Sequence, residues 1–164
     1  MNLFNIKWAI KSRTKRLFFK VIYKKNIQYG KRLTFRDGFH IIMEKGALLE
    51  IGDRVFFNNY CTINVLKNVK IGDDCLFGEN VKIYDHDHCF KYKNTPFNSQ
   101  PMNTSTIKIG NNCWFGSNVI ILRGSEIGNN CVVAAGTIVK TNLEDGMILY
   151  RDGTKRTINF REKI

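Results

Sequence analysis

The sequence has 164 residues, a formal net charge of +12, and 43% hydrophobic and 24% charged residues. This length suits one domain with a hydrophobic core, and the composition excludes a disordered chain. No apolar run approaches the roughly 18 residues of a membrane span, and Lys7, Lys11 and Arg13 interrupt any signal-peptide core. The five cysteines, an odd number, are expected to be reduced thiols. We therefore predict a cytoplasmic protein, with peripheral binding at the inner face of the membrane as an open alternative.

The positive charge is concentrated near the N-terminus. Residues 1–45 contain 12 basic and 2 acidic side chains, whereas residues 46–164 contain 14 and 12. A basic segment with interleaved aromatic residues can bind nucleic acid, cap the end of a neighbouring domain, or contact an anionic membrane. Nucleic acid is the least favoured of these partners. The apolar residues in 3–10 and 17–23 fit a helical stripe poorly, so the conformation of the segment stays open.

A repeat with a period of six residues begins at Ile51. Ile-Gly followed by two polar residues occurs at 51–54, 71–74, 109–112 and 127–130. Apolar residues fall at every sixth position between these marks: Ile51, Phe57, Ile63, Ile71, Phe77, Ile83, Ile109, Phe115, Ile121, Ile127, Val133 and Val139. This period is neither helical nor a simple strand alternation, and it predicts short strands joined by sharp corners. Three strands per 18-residue coil form a parallel solenoid, and four coils with inserts of 2 and 20 residues account for 51–144.

Two clusters in the repeat could pass for metal sites. Cys75, Cys113 and Cys131 fall at the same corner of successive coils, where we expect them to stack as small buried side chains. His86 and His88 flank an aspartate, but a three-histidine zinc site needs another ligand, and the remaining histidine, His40, precedes the clear coils. We therefore predict no metal.

The 20-residue insert follows the hexapeptide Ile83-Tyr-Asp-His-Asp-His88. It is predicted to leave the solenoid over about 89–108 and contains both prolines of the chain. A long loop among tight corners is typical of a functional site. His88 would lie at the lip of this loop.

The repeat, together with Ile83-Tyr84 and a histidine at 88, resembles the hexapeptide-repeat acyltransferases, and within them the galactoside, maltose and xenobiotic acetyltransferases. The resemblance covers about residues 49–145. It implies an all-β, left-handed parallel β-helix, a homotrimer with active sites at subunit interfaces, and acetyl-CoA as cosubstrate. On this basis we predict three regions. They are a basic segment 1–45, a catalytic β-helix 46–145 and a tail 146–164 near the CoA site.

The same resemblance implies roles for individual residues. His88 would be the general base, which suits an imidazole that is largely neutral at neutral pH. Asn58 would bind the acceptor. Asp85 and Asp87 are near enough in sequence for either to orient an imidazole, and His86 competes with His88 for the role of base.

The cofactor residues come from the C-terminal coils. By resemblance, Trp114 lines the pantetheine tunnel, and the backbone N–H of Ser117 faces the thioester oxygen. The further matched positions are Ala135 and Gly136, which let the pantetheine approach, and the cations Lys140 and Lys155. The family usually ends its last coil with Thr-Lys-Asp and then carries Gly-Asn-Pro-Ala-Lys, and this chain departs from both patterns.

The repeat itself separates these residues. It places His88 at the corner between third and first sides, Trp114 at the end of a first side and Ser117 early on a second side. One side of about five extended residues spans roughly 16 Å. A reaction that uses both His88 and Trp114 therefore needs two subunits.

Taken together, we predict an O-acetyltransferase that acts on a sugar hydroxyl of a glycan or its precursor, by direct transfer. Two alternatives stay open: an N-acetyltransferase of an amino sugar or small amine, and a non-catalytic basic β-helical binding module. The basic segment would hold an acidic or lipid-linked acceptor, or contact an anionic membrane.

Overall fold

A computed structural model describes residues 3–161. The chain opens with helix α1 (Leu3–Tyr23), followed by a 3₁₀ turn (Lys24–Asn26) and then a series of short strands. A second 3₁₀ turn, Phe97–Ser99, lies in the long insert. No helix within the described range is long and apolar enough to cross a membrane.

The strands form a parallel solenoid with three faces. The first face contains β1 (Ile27–Tyr29), β4 (Leu48–Ile51), β7 (Asn68–Ile71), β12 (Ile107–Ile109) and β15 (Glu126–Ile127). The second contains β2 (Thr34–Phe35), β5 (Phe56–Phe57), β8 (Leu76–Phe77), β13 (Trp114–Phe115), β16 (Val132–Val133), β18 (Met147–Leu149) and the antiparallel β19 (Lys155–Thr157). The third contains β3 (His40–Met43), β6 (Thr62–Val65), β9 (Lys82–Tyr84), β14 (Ile120–Leu122) and β17 (Ile138–Val139). A hairpin of β10 (His86–His88) and β11 (Met102–Thr104) projects from this body.

The core is the interior of the solenoid, as the six-residue period predicts. All twelve apolar marks of the repeat are buried, and so are the small residues at the corners between them. Aromatic rings continue the stacking from coil to coil. The ring centroids of Phe57 and Phe77 are 4.3 Å apart, and those of Phe77 and Phe115 are 4.7 Å apart. Each coil therefore buries its large side chains against those of its neighbours, and the predicted β-solenoid is confirmed.

The corners explain the recurring Ile-Gly and Asn residues. At Gly72 a side chain would meet the carbonyl oxygen of Gly110 at 2.7 Å, so the closely stacked backbones leave room only for glycine. Two residues after the glycine of each Ile-Gly pair, the backbone enters the left-handed region. The value of φ is 55° at Asn112 and at Asn130. Asparagine tolerates this conformation better than most residues. The Asn112 side-chain amide also donates to the Asn130 Oδ1 at 2.8 Å, which links successive coils.

Three cysteines form the predicted ladder at one corner. Cys75, Cys113 and Cys131 are buried free thiols. The Sγ atoms of Cys75 and Cys113 donate to the carbonyls of Gly110 and Gly128 in the next coil, at 3.2 and 3.0 Å. They act as small core residues with a weak hydrogen bond.

The solenoid begins one coil earlier than the predicted boundary at residue 46. Strands β1, β2 and β3 pair in parallel with β4, β5 and β6, so residues from Ile27 onward belong to the β-helix. The first coil lacks the Ile-Gly signature because Tyr29 stands where the other coils have isoleucine, although Gly30 follows it. At the other end, β18 continues the second face and β19 folds back on it, so part of the predicted tail also belongs to the sheet.

Helix α1 caps the N-terminal end of the solenoid. Phe19 is buried, with its ring centroid 6.4 Å from that of Phe35 and 6.3 Å from that of Phe39. The buried Ser12 hydroxyl donates to the Phe35 carbonyl at 3.1 Å. Leu17 and Phe18, by contrast, are exposed. The fit to a single helical stripe is poor because apolar residues occupy two faces of this helix rather than one.

Candidate active site

The hairpin is the main interruption of the repeat. The chain leaves the third face after Tyr84, and His86–His88 pairs antiparallel with Met102–Thr104 before β12 resumes the solenoid. The excursion therefore begins at His86, whereas the period predicted Cys89. The difference arises because His86–His88 pairs with Met102–Thr104, a strand of the insert that does not follow the six-residue period. The loop is ordered by Gln100, a buried residue whose amide donates to the carbonyls of Tyr92 and Thr95 at 3.1 and 2.8 Å.

Asp85 anchors the start of the hairpin. Its carboxylate is completely buried and accepts hydrogen bonds from the backbone N–H groups of Leu66, Lys67 and Asn68 at 2.7–2.8 Å. The same carboxylate lies 3.0 Å from Nδ1 of His86. A buried carboxylate is costly unless such partners satisfy it. Asp85 therefore ties the hairpin to the corner of the preceding coil.

Asp87 anchors the hairpin to the following coil. It accepts a hydrogen bond from Nε of Arg123 at 2.5 Å and another from the side-chain amide of Asn103 at 2.8 Å. These two partners, Arg123 above all, hold the pKa of the Asp87 carboxyl below its usual range. Sequence reasoning missed Arg123. The repeat could have suggested this contact. Leu122 pairs in register with Tyr84, so Arg123, the next residue, lies beside the start of the hairpin.

Of the two histidines on the hairpin, His86 is the one whose imidazole contacts an aspartate. Side chains alternate along a strand, so His86 and His88 share one side of β10 while Asp87 points to the other. Asp85 contacts His86 instead. Within residues 3–161 no hydrogen bond joins either carboxylate to His88. The structure thus gives His86 a carboxylate partner and leaves His88 exposed at the edge of the hairpin.

An open apolar cavity lies beside His88. It has a volume of about 300 Å³ and is lined by His88, Cys89, Phe90, Phe97 and Asn98. The rings of Phe90 and Phe97 are 72% and 67% exposed. Exposed aromatic rings beside an imidazole form a surface on which a ligand or a second chain can pack.

A second group of candidate residues lies along the corner between the second and third faces. Asn58, Ser117, Ala135 and Gly136 follow strands β5, β13 and β16, which are in register. The Asn58 Oδ1 accepts from a guanidinium N–H of Arg36 at 3.2 Å. The Ser117 carbonyl accepts from Gly136 N–H at 2.9 Å.

This corner is tightly packed. At Gly116 a side chain would meet Ala135 N at 2.5 Å, so small residues are required here. The structure therefore brings Ser117, Ala135 and Gly136 together.

Trp114 lies on the second face, not at the end of the first. It begins β13, between Leu76 and Val132 of the neighbouring coils, and is 52% exposed. The predicted sides were counted from the apolar marks, whereas the strands end on those marks. Trp114 therefore begins the second face instead of ending the first, and Ser117 lies at the corner after the second face instead of early on it.

The C-terminal cations lie near the last coil. Lys140 is exposed just after β17, and Lys155 at the start of β19 donates to the Asn142 carbonyl at 2.6 Å. Arg151, which sequence reasoning missed, lies beside Gly136: a side chain added there would come within 3.7 Å of the Arg151 Cδ. A shallow cavity next to it includes Ala134, Tyr150 and Asp152.

One whole face separates the two groups within a chain. The strand Ile120–Leu122 runs from the corner of Ser117 to Arg123, which holds the base of the hairpin. A face of about five residues spans roughly 16 Å. The described residues contain no cluster of three or more histidine, cysteine or acidic side chains that could hold a metal ion.

The fold and its six-residue period define the class of hexapeptide-repeat transferases. The family described as bacterial transferase hexapeptide (six repeats) matches residues 106–141, and the hexapeptide repeat of succinyl-transferase matches 68–83.

A relative in sequence indicates which kind of transferase within this class the chain is related to. WbbJ of Escherichia coli K12, whose name assigns it to lipopolysaccharide biosynthesis as an O-acetyl transferase, is 30% identical over 131 residues, which are 76% of this chain and 67% of WbbJ. The chain belongs to the hexapeptide-repeat acetyltransferase family.

Solved structures share the fold. A maltose O-acetyltransferase from Clostridium difficile 630 superposes with a TM-score of 0.69 at 25% identity, covering 99% of this chain and 90% of that one. A galactoside acetyltransferase in complex with coenzyme A superposes with a TM-score of 0.72 at 24% identity, covering 97% and 83%.

Proposed function

We propose that the protein transfers an acetyl group from acetyl-CoA to a hydroxyl of a sugar, with His88 as the general base. The observation that carries this proposal is the histidine-bearing hairpin inserted into an acetyltransferase solenoid, with His88 exposed beside an open apolar cavity. The names of WbbJ and of the maltose and galactoside enzymes support a carbohydrate acceptor and coenzyme A.

The proposed chemistry is direct acyl transfer. The neutral imidazole of His88 takes the proton of the acceptor hydroxyl as its oxygen attacks the thioester carbonyl. The tetrahedral intermediate then collapses, the carbon–sulfur bond breaks, and the imidazolium returns the proton to the departing thiolate. His86 is the competing base, and its contact with Asp85 favours it on orientation.

Ser117 is the proposed donor to the thioester oxygen. Its backbone N–H lies at the start of a corner and donates to no group in the described part of the chain. An N–H aimed at a developing oxyanion stabilises the tetrahedral intermediate. Trp114, Ala135 and Gly136 would line the pantetheine path, and Lys140, Lys155 and Arg151 would meet the phosphates of the cofactor.

The burial of all five cysteines favours direct transfer over an acyl-enzyme. Burial raises the pKa of the Cys61 thiol to about 11 and also raises that of Cys131. The hydrogen bond between Cys75 and Cys113 raises the pKa of Cys113 and lowers that of Cys75, but both thiols are buried inside the solenoid. Thiols that are protonated and buried are poor nucleophiles.

The proposed site is shared between subunits of a homotrimer. Its support is the separation of His88 from Trp114 and Ser117 by a full face of the solenoid. Inactive His88→Ala chains mixed with inactive Trp114→Ala chains should regain activity, because one mixed interface pairs an intact His88 with an intact Trp114. Absence of rescue in verified mixed trimers would contradict the shared site.

The activity is tested by thiol release from acetyl-CoA with a panel of sugars and a panel of amines. Release with sugars, lost in His88→Ala, is expected. Release with amines alone would favour an N-acetyltransferase. No release with either panel would favour a non-catalytic binding module.

A further inference from the structure

The outward side of α1 is an apolar surface with no covering element in the described chain. Ile10, Leu17, Phe18 and Val21 are 58–74% exposed. Their spacing of seven, eight and eleven residues from Ile10 places them on one side of a helix. The opposite side of α1 is packed on the first coil through Phe19, so these four side chains point away from the solenoid.

Cations border this apolar surface. Arg13, Arg16 and Lys20 of α1 face Lys31 and Arg32 of the first coil across a groove of about 700 Å³.

Few acids oppose these cations. The one acidic residue that lines the groove, Asp53, accepts from the Lys31 N–H at 2.6 Å and lies 3.8 Å from Arg54. Within residues 3–161, Arg13, Lys20 and Arg32 form no salt bridge. The buried Nε of Arg16 lacks a hydrogen-bond partner there. The groove is thus ready for an anion such as a phosphate group.

The apolar surface and the cationic groove together favour one kind of binding partner over the others. A soluble acidic glycan would use the cations but not four exposed apolar side chains. A second copy would bring Arg13 and Lys20 against like charges, and the first 45 residues hold only two acids, of which Asp37 already pairs with Lys11. A membrane with anionic lipids satisfies both parts, because apolar side chains enter the acyl boundary while cations meet lipid phosphates.

We propose that α1 is an in-plane membrane anchor. Ile10, Leu17, Phe18 and Val21 enter the lipid, and the groove of Arg13, Arg16, Lys20, Lys31 and Arg32 binds lipid phosphates. The helix spans about 30 Å along the surface. This docking surface does not depend on the proposed acetyl transfer.

Co-sedimentation of the full chain with lipid vesicles tests the proposal. Binding to phosphatidylcholine vesicles containing phosphatidylglycerol is expected, with weak binding to phosphatidylcholine alone. Arg13→Gln with Lys20→Gln should weaken binding roughly 10- to 30-fold, since each cation near an anionic surface contributes several-fold. The matched control is Lys70→Gln with Lys108→Gln, two cations of the first face, which should bind like the parent. Equal losses in both double variants would overturn the proposal, because only net charge would then matter.

A second pair of variants tests the apolar part. Leu17→Ser with Val21→Ser keeps every charge and should weaken vesicle binding by about 10-fold or more. Thermal unfolding verifies that this variant is folded. Unchanged vesicle binding would overturn the proposal. So would a change of oligomeric state in place of a loss of vesicle binding, since the surface would then be a contact between copies. Binding of inorganic phosphate as tight as vesicle binding would equally count against a membrane.

Discussion

The coils and the hairpin of this protein are held in place in different ways. Each coil repeats the one before it, so Phe77 stacks between Phe57 and Phe115. The hairpin occurs once and is largely exposed. The carboxylates of Asp85 and Asp87 hold it to the body, because their hydrogen-bond partners lie on two different coils. Stability is therefore spread through the repeat, whereas the proposed base, His88, lies on its interruption.

The sharpest test of this division is His88→Ala. If the hairpin carries the chemistry, turnover should fall by about 10²- to 10⁴-fold, with an unchanged melting temperature because the side chain is exposed. Initial rates at saturating acetyl-CoA and circular dichroism melting measure the two effects. The matched variant is His86→Ala. A larger loss of turnover in this variant would show that His86, the histidine beside Asp85, is the general base instead of His88.

The complementary change in the coils is Phe77→Ala. It leaves a cavity in the middle of the aromatic stack, and the free energy of unfolding should fall by about 3–5 kcal/mol. Urea unfolding provides the measurement, with Phe90→Ala in the hairpin as a control within about 0.5 kcal/mol of the parent. A loss at Phe77 no larger than that at Phe90 would refute the claim that the stack carries stability.

The junction between the two regions is tested by Asp85→Asn. The amide keeps the shape but presents an NH₂ group to backbone N–H donors, so the free energy of unfolding should fall by about 1–3 kcal/mol. Faster amide exchange at Leu66, Lys67 and Asn68 should accompany it. Parent-like exchange at these three positions would show that the carboxylate is not the anchor.

The smallest expected effect concerns pH and Asp87. Because Arg123 and Asn103 lower the pKa of this carboxyl in the folded state, its stabilising contribution is complete above the ordinary carboxyl pKa. It is lost as pH falls through the lowered folded-state value. The side chain is half exposed, so the contribution should stay below about 1 kcal/mol. Amide exchange of the hairpin at pH 5 and below pH 3 measures it, and Asp87→Asn should abolish the difference between the two.

Some features could be read directly from residues. The Ile-Gly marks and the apolar residue at every sixth position determine the solenoid, its inward side chains and the cysteine ladder, because each coil repeats the same local constraint. The insert after Ile83 also marks the place of the hairpin. Resemblance, rather than the period, supplies the roles of His88, Asn58 and Trp114.

The attachment of α1 and of the hairpin to the solenoid could not be predicted from the sequence. Tyr29 replaces the isoleucine that would have revealed the first coil, and α1 shows no single stripe because one side packs on Phe35 while the other faces outward. The partner of Asp87 is Arg123, 36 residues away, and that of Asp85 is a corner 17–19 residues earlier. A repeat can be recognised from the local sequence, because each coil has the same pattern of residues. The contacts of a single hairpin or helix cannot, because they depend on which coil lies beside it in the folded chain.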